Sequence, residues 1–124
     1  MVIICVDDSK MGASSLQRRA RSIVSDAQIY KFTDPESALK QAKAGGCDLL
    51  LTEIEVGYSD TGGIMLAKYM KEVNPAVNII FVTVCSEYEH ETWLRHIAYD
   101  GYLTKPVLDV ELANEIYNLR CMAG

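Results

Sequence analysis

The sequence has no long apolar run, no basic run, no closely spaced cysteine pair and no glycine-rich phosphate motif. Each absence removes a class of function. No apolar stretch approaches the ~18 residues that a membrane span needs. Met1-Val2-Ile3-Ile4-Cys5-Val6 runs straight into Asp7 and Asp8, without the basic and apolar regions of a signal peptide. The expected compartment is therefore the cytoplasm. The formal charge is -5, and the densest basic spot, Gln17-Arg18-Arg19-Ala20-Arg21, reads as the solvated face of a helix. Direct contact of this domain with nucleic acid or a membrane is not expected, because nucleic-acid binding needs clustered Lys and Arg. Cys5, Cys47, Cys85 and Cys121 form no CxxC pair and read as free thiols at strand and helix positions. His90 and His96 lack the spaced cysteines of a zinc site. Neither a P-loop nor GxGxxG is present, and Gly62-Gly63 reads as a loop-to-helix turn. Nucleophilic triads have no suitable residue set, so the chain is not expected to be an enzyme.

What is present is an alternation of strand and helix patterns. The 124 residues suit one domain, residues 1–124, and 49% hydrophobic composition is enough for a core. Val2–Val6 reads as a buried strand ending in acids. Leu16, Ala20, Ile23 and Val24 recur at helical spacing. Ala27–Phe32 reads as a strand whose Gln28 and Lys31 suit an edge. Asp34-Pro35 opens a second helix, with Asp capping and Pro in the first turn, and Gly45-Gly46 closes it. Asp48–Ile54 is a central strand, and residues 56–63 form a loop. Leu66, Met70 and Val73 mark a third helix, stopped at Asn74-Pro75. Val77–Val84 is the most strand-like segment. Glu87–Ile97 is the weakest helical pattern. Gly101-Tyr102-Leu103 is a short fifth strand, and Asp109 is read as the cap of a last helix facing inward through Leu112, Ile116 and Leu119. Strands separated by helices imply right-handed parallel crossovers. The expected fold is α/β: a flavodoxin-like, doubly wound five-stranded parallel sheet, order 2-1-3-4-5, with five helices.

In such sheets ligands bind beyond the carboxyl ends of the strands. Asp7-Asp8, Glu53, Thr83 and Lys105 all fall at those ends. Packed carboxylates repel and call for a cation, and a hard divalent ion such as Mg²⁺ takes oxygen ligands. Lys105 and Thr83 could hold an anionic phosphoryl group, and a carboxylate there could accept it. Taken singly, Asp7-Asp8 could equally cap the following helix, Thr83 could be structural and Lys105 a surface lysine.

The residues that converge there carry a resemblance. Val6-Asp7-Asp8-Ser9, Asp48-Leu49-Leu50-Leu51-Thr52-Glu53-Ile54, Phe81-Val82-Thr83 and Gly101-Tyr102-Leu103-Thr104-Lys105-Pro106 resemble the motifs of bacterial response-regulator receiver domains, in chain order and over essentially the full length. Glu53-Ile54-Glu55-Val56, Ile80-Phe81-Val82-Thr83 and Ser86-Glu87-Tyr88 look most like the LytR/AlgR-type subgroup, whose members usually carry a DNA-binding output domain. The resemblance implies that Asp8 ligates Mg²⁺, Asp7 holds it through water, and the Glu53 position and the backbone carbonyl of Glu55 complete the metal site. It further implies that Thr83 and Lys105 bind the phosphoryl group, that Tyr102 swings between exposed and inward rotamers, and that the Lys105-Pro106 bond is cis. Implied partners are a histidine kinase or other signalling protein, and a second copy of the chain through the fourth helix, fifth strand and fifth helix. Trp93, Tyr99 and Tyr102 fall on that surface, where aromatics are favoured, although Trp93 could simply pack beneath its helix.

Glu53 departs from the pattern, which has Asp at the phosphoacceptor position. Glutamate reaches about 1.5 Å further, and a misplacement of ~1 Å can cost on the order of 100-fold in transfer. The first expectation is a domain poorly or not phosphorylated, with the carboxylate lying near Thr83 and Lys105 in place of a phosphoryl oxygen. The alternatives are slow phosphorylation on Glu53, and an engineered mimic. The loop after Glu53 also departs: Val56-Gly57 stands where a Met-Pro-like step is usual, and the path to Gly62-Gly63 is longer.

Overall fold

Five short apolar runs become five strands: β1 (Val2–Val6), β2 (Gln28–Phe32), β3 (Leu49–Thr52), β4 (Asn78–Thr83) and β5 (Gly101–Thr104). In this computed structural model, which describes residues 1–122, they form one parallel sheet in the order β2-β1-β3-β4-β5. The expected order is thus found, with the polar β2 at an edge. Alternation along each strand divides the core in two. Ile4, Val6, Leu50, Ile79 and Phe81 face one side, under α2 (Pro35–Gly45) and α3 (Gly62–Val73). Ile3, Cys5, Leu49, Leu51, Ile80 and Val82 face the other, under α1 (Lys10–Ile23) and α4 (Asp109–Tyr117). The run Leu49-Leu50-Leu51 reads as unbroken because both faces of β3 are covered. None of the helices is long and apolar enough to cross a membrane, among the described residues.

Three local features differ from the sequence reading. The first is the cap of α1. Neither Asp7 nor Asp8 supplies it: Ser9 does, its Oγ accepting from Gly12 N at 2.9 Å. The second is the fourth helical crossover. Residues 87–91 are not helical, and a six-residue 3₁₀ helix (Thr92–Ile97) follows. Its buried residues, Leu94 and Ile97, are three apart, and that spacing stacks on one edge of a threefold helix but drifts on an α-helix. The third is the start of α4. Asp109 is its first helical residue rather than its cap; Glu111 closes the end on Leu108 N at 2.9 Å, and Asp109 pairs with Arg19 Nε at 2.7 Å. Arg19 therefore ties α1 to α4, while Arg18 and Arg21 keep the solvated character expected of the basic spot.

The loop after β3 is fixed by close backbone approach. A Cβ on Gly63 would lie 1.9 Å from the Glu53 carbonyl oxygen, and one on Gly62 would lie 1.9 Å from that of Val56. Gly63 N donates to Ile54 O at 2.8 Å. The glycine pair thus seats the start of α3 against the residues that follow Glu53, a packing role rather than a phosphate cradle. Gly63→Ala should lower the unfolding free energy by about 3 kcal/mol, the upper end of overpacking costs. Gly46→Ala, where φ is +81° but nothing lies within 4 Å, should cost about 1 kcal/mol. Urea denaturation of both checks this, and a Gly63 loss no larger than that of Gly46 would contradict it.

Candidate functional site

The parallel sheet carries every strand-end group to one edge. Asp7 and Asp8 leave β1, Glu53 leaves β3, Thr83 closes β4 and Lys105 leaves β5. The strand order reverses direction between β1 and β3, so Asp7 and Glu53 flank the crevice where such sheets bind ligands. Backbone bonds hold the positions: Glu53 N donates to Val6 O at 2.9 Å and Lys105 N to Thr83 O at 2.7 Å. The Lys105-Pro106 bond is cis, as expected.

Side-chain geometry centres on Lys105. Its Nζ lies 2.7 Å from Asp7 Oδ2 and 3.4 Å from Glu53 Oε1. Asp7 and Glu53 are 4% and 3% exposed, so the two carboxylates need this cation. Burial alone would lower the lysine pKa, but the hydrogen bond and charge of Asp7, with the charge of Glu53, outweigh it and hold the ammonium above its ordinary value. Asp7 Oδ1 accepts from Ser9 N at 3.1 Å and Ser9 Oγ at 3.3 Å. Gly12 leaves room for that carboxylate, since a Cβ there would meet Asp7 Cγ at 2.3 Å. A cleft of about 580 Å³ opens on Asp7 and Lys105.

Glu53 uses both oxygens. Oε2 accepts from Ile54 N at 2.6 Å, and Oε1 accepts from Val84 N at 3.1 Å while facing Lys105. Thr83 is fully buried, and its Oγ1 accepts from Cys85 N at 3.0 Å. Cys85 is a hub that sequence reasoning missed. Its carbonyl accepts from Tyr102 OH, and its thiol donates to Glu55 Oε1 at 3.1 Å. Burial and the Glu55 carboxylate push that thiol up to about 11. Tyr102 is half-buried, beside Phe81 and Tyr99 at 5.9 and 6.3 Å between ring centroids. Burial pushes its phenol up as well. Asp8 and Glu55 are exposed, and Asp8 has no ion-pair partner among the described residues. Trp93 is 43% exposed and lies edge-on to Tyr88 at 5.9 Å, so it is not packed beneath its helix. An apolar groove of about 440 Å³ between α2 and α3, lined among others by Leu39, Tyr58, Met65 and Tyr69, contains none of the strand-end groups.

The edge fits a hard cation on its oxygen chemistry. Asp7, Asp8 and Glu53 set three carboxylates against the single ammonium of Lys105, leaving two negative charges, and the donors are all oxygen. Asp8 is the freest ligand of the set, because protein donors already reach both oxygens of Asp7 and of Glu53. Residues missed from sequence, Ser9, Gly12, Val84 and Cys85, act through backbone or small side chains. Only the Ser-x-x-Gly step after the acidic pair carried a readable signal.

The fold is shared with known proteins. The family model of the response regulator receiver domain matches residues 3–117. Response regulator GacA of Pseudomonas syringae pv. syringae is 25% identical over 103 residues, which are 83% of this chain and 47% of that protein. The chain thus spans about half the length of the curated relatives it matches. Among solved structures, the response regulator TrrA of Thermotoga maritima, in complex with Mg²⁺ and BeF, superposes with a TM-score of 0.79 at 23% identity, covering 93% of this chain and 95% of that one. A LuxR-family two-component response regulator from Aurantimonas gives 0.81 at 20% identity, covering 99% and 85%.

Replacing Lys105 by Met strands two buried carboxylates. The expected loss is on the order of 2 kcal/mol at neutral pH, below the cost of a fully buried pair because the lysine side chain is 31% exposed. The lysine pKa is raised on folding, so its contribution is complete below the unfolded value near 10.5 and fades as pH climbs through the higher folded one. The stability difference between wild type and Lys105→Met should therefore be flat from neutral pH to about pH 10 and shrink above about 10.5, measured by urea denaturation across that range. A difference unchanged at high pH would contradict the ion pair.

Proposed function

The chain belongs to the response regulator receiver domain family, and from that premise we propose that its switch is held by its own glutamate rather than by a phosphoryl group. Receiver domains of two-component response regulators are regulatory, and this domain is such a switch. Glu53 stands at the phosphoacceptor position, and its carboxylate serves as the resident anion of the Thr83–Lys105 end of the site. One observation carries the reading: Glu53 Oε1 accepts from Val84 N at 3.1 Å and faces Lys105 Nζ at 3.4 Å, in a residue 3% exposed. Those are a backbone donor and a cation set to bind an anion. A nucleophile needs an oxygen set in line with the incoming phosphorus, and the amides of Ile54 and Val84 fix the orientation of this carboxylate. The inward Tyr102, bonded to the Cys85 carbonyl, supports the active-like state.

Mg²⁺ remains compatible with this state. Asp8 would hold it directly, Asp7 through water, and the Glu55 backbone carbonyl would complete the protein ligands. When bound, the ion would offset the negative charge of the edge and draw phosphoryl oxygens toward it. The chain's own residues do the rest: Lys105 neutralises, Ser9 and Gly12 position Asp7, and Thr83 keeps its hydroxyl on Cys85 N.

The output of such a switch is protein contact. Response regulators interact with histidine kinases and other signalling proteins, and a self-association through the 3₁₀ helix, β5 and α4 fits the exposure of Val110 and Tyr117. The LytR/AlgR-type assignment is part of this reading and makes the domain the receiver part of a transcriptional regulator. It rests on Glu53–Val56, Ile80–Thr83 and Ser86–Tyr88.

Acetyl phosphate with Mg²⁺ tests the proposal by intact mass. Wild type should gain no acyl phosphate, and Glu53→Asp should gain one per chain. A stoichiometric acyl phosphate on Glu53 would establish the competing reading, an Mg²⁺-dependent phosphoacceptor served by a histidine kinase. Failure of Glu53→Asp to react would place the defect in the loop at Val56–Gly63.

A further inference from the structure

A second cleft lies away from the carboxylate edge, between α3 and the 3₁₀ helix. It measures about 410 Å³ and is lined by Lys68, Lys71, Trp93, His96 and Ile97. Its charge runs against that of the chain as a whole, which has 17 acidic and 12 basic residues. None of Lys68, Lys71, His96 and the neighbouring Arg95 lies within ion-pair distance of a carboxylate among the described residues; the ion pairs found there involve Arg19, His90 and Lys105. Glu72, next to Lys71 in the chain, leaves both lysines unpaired. Lys71 is fixed in place, its Nζ donating to Val77 O at 2.8 Å with donors to spare. Lys68 and His96 are exposed. Trp93 offers an indole 43% exposed, steadied by Tyr88, and buried Ile97 forms an apolar floor.

We propose that this cleft docks an acidic segment of a partner protein that carries an aromatic or large apolar side chain between its carboxylates. The carboxylates meet Lys68 and Lys71, a ring N–H of His96 can donate beside them, and the apolar side chain packs on Trp93 and Ile97. Unpaired cations around an exposed indole give both the steering and the anchor that such a segment needs. A nucleotide is the poorer occupant. Phosphate recognition uses helix N-terminal amides or a guanidinium fork, whereas Lys68 and Lys71 lie in the second half of α3 and no arginine lines the cleft. The position suits a switch: the 3₁₀ helix belongs to the segment between Cys85 and Tyr102, which the Tyr102 hydroxyl ties together. The proposal does not rest on the state of Glu53.

Trp93 is the single tryptophan of the chain, so its fluorescence reports on the cleft directly. The full chain is titrated at low salt with the capped peptide Glu-Glu-Phe-Glu-Glu. A saturable change is expected, with affinity reduced at least about tenfold in Lys68→Glu/His96→Glu and unchanged in the α1 control Arg18→Glu/Arg21→Glu, whose charge change is at least as large. Calorimetry on Trp93→Ala should show a comparable loss. Glu53→Asp should bind the peptide, so a failure here is separable from a failure of the Glu53 reading. No saturable change, an equal loss in the α1 control, or tighter binding of ATP or inorganic phosphate than of the peptide would overturn the proposal.

Discussion

Two buried carboxylates, Asp7 and Glu53, share the ammonium of Lys105, and the carboxyl edge of the sheet is arranged around that charge balance. Side chains so deeply buried need polar or charged partners. The lysine reaches them only because β5 lies beside β4 and its backbone is pinned to Thr83. Gly12 and Ser9 then fit the Asp7 carboxylate, and the amides of Ile54 and Val84 fit that of Glu53. Fold and site are thus one arrangement: the parallel sheet brings five chain segments to one edge, and the ion pairs decide how their side chains settle.

The same contacts link the site to the surface. Val84, which bonds Glu53, is followed by Cys85, whose carbonyl holds Tyr102 and whose amide holds Thr83. Adjacent backbone groups thus join Glu53 to the segment 84–102 without a long path. That segment carries the 3₁₀ helix and Trp93, and few of its residues are buried. A weakly anchored stretch next to a tightly charged site is what a two-state element requires.

Much of this was legible in the amino-acid order. Apolar runs gave the strands because parallel strands are covered on both faces, and Asp34-Pro35 marked α2 because capping chemistry is local. The residues at the edge were legible as a set through the strand ends they follow. Other parts were not. The Ser9 cap and the Asp109–Arg19 pair depend on which neighbour a short polar side chain reaches, and several candidates lie within two residues. The 3₁₀ helix was masked by a segment with too few apolar residues to fix a period. The roles of Val84 and Cys85 come from backbone groups, which every residue has and no pattern distinguishes. The shape of the Glu53 site was thus only half readable: the extra methylene was plain in sequence, and the amides it reaches were not.

The central claim is that the Glu53 carboxylate already fills the anion position between Val84 N and Lys105 Nζ. The Val84 amide resonance of the wild-type chain, followed by NMR during titration with beryllofluoride at constant, saturating Mg²⁺, tests it most directly. If the carboxylate is the resident anion, that resonance stays where it is at saturating beryllofluoride. A saturable shift of the Val84 amide would mean that the position is open to a phosphoryl-like group, and would contradict the account.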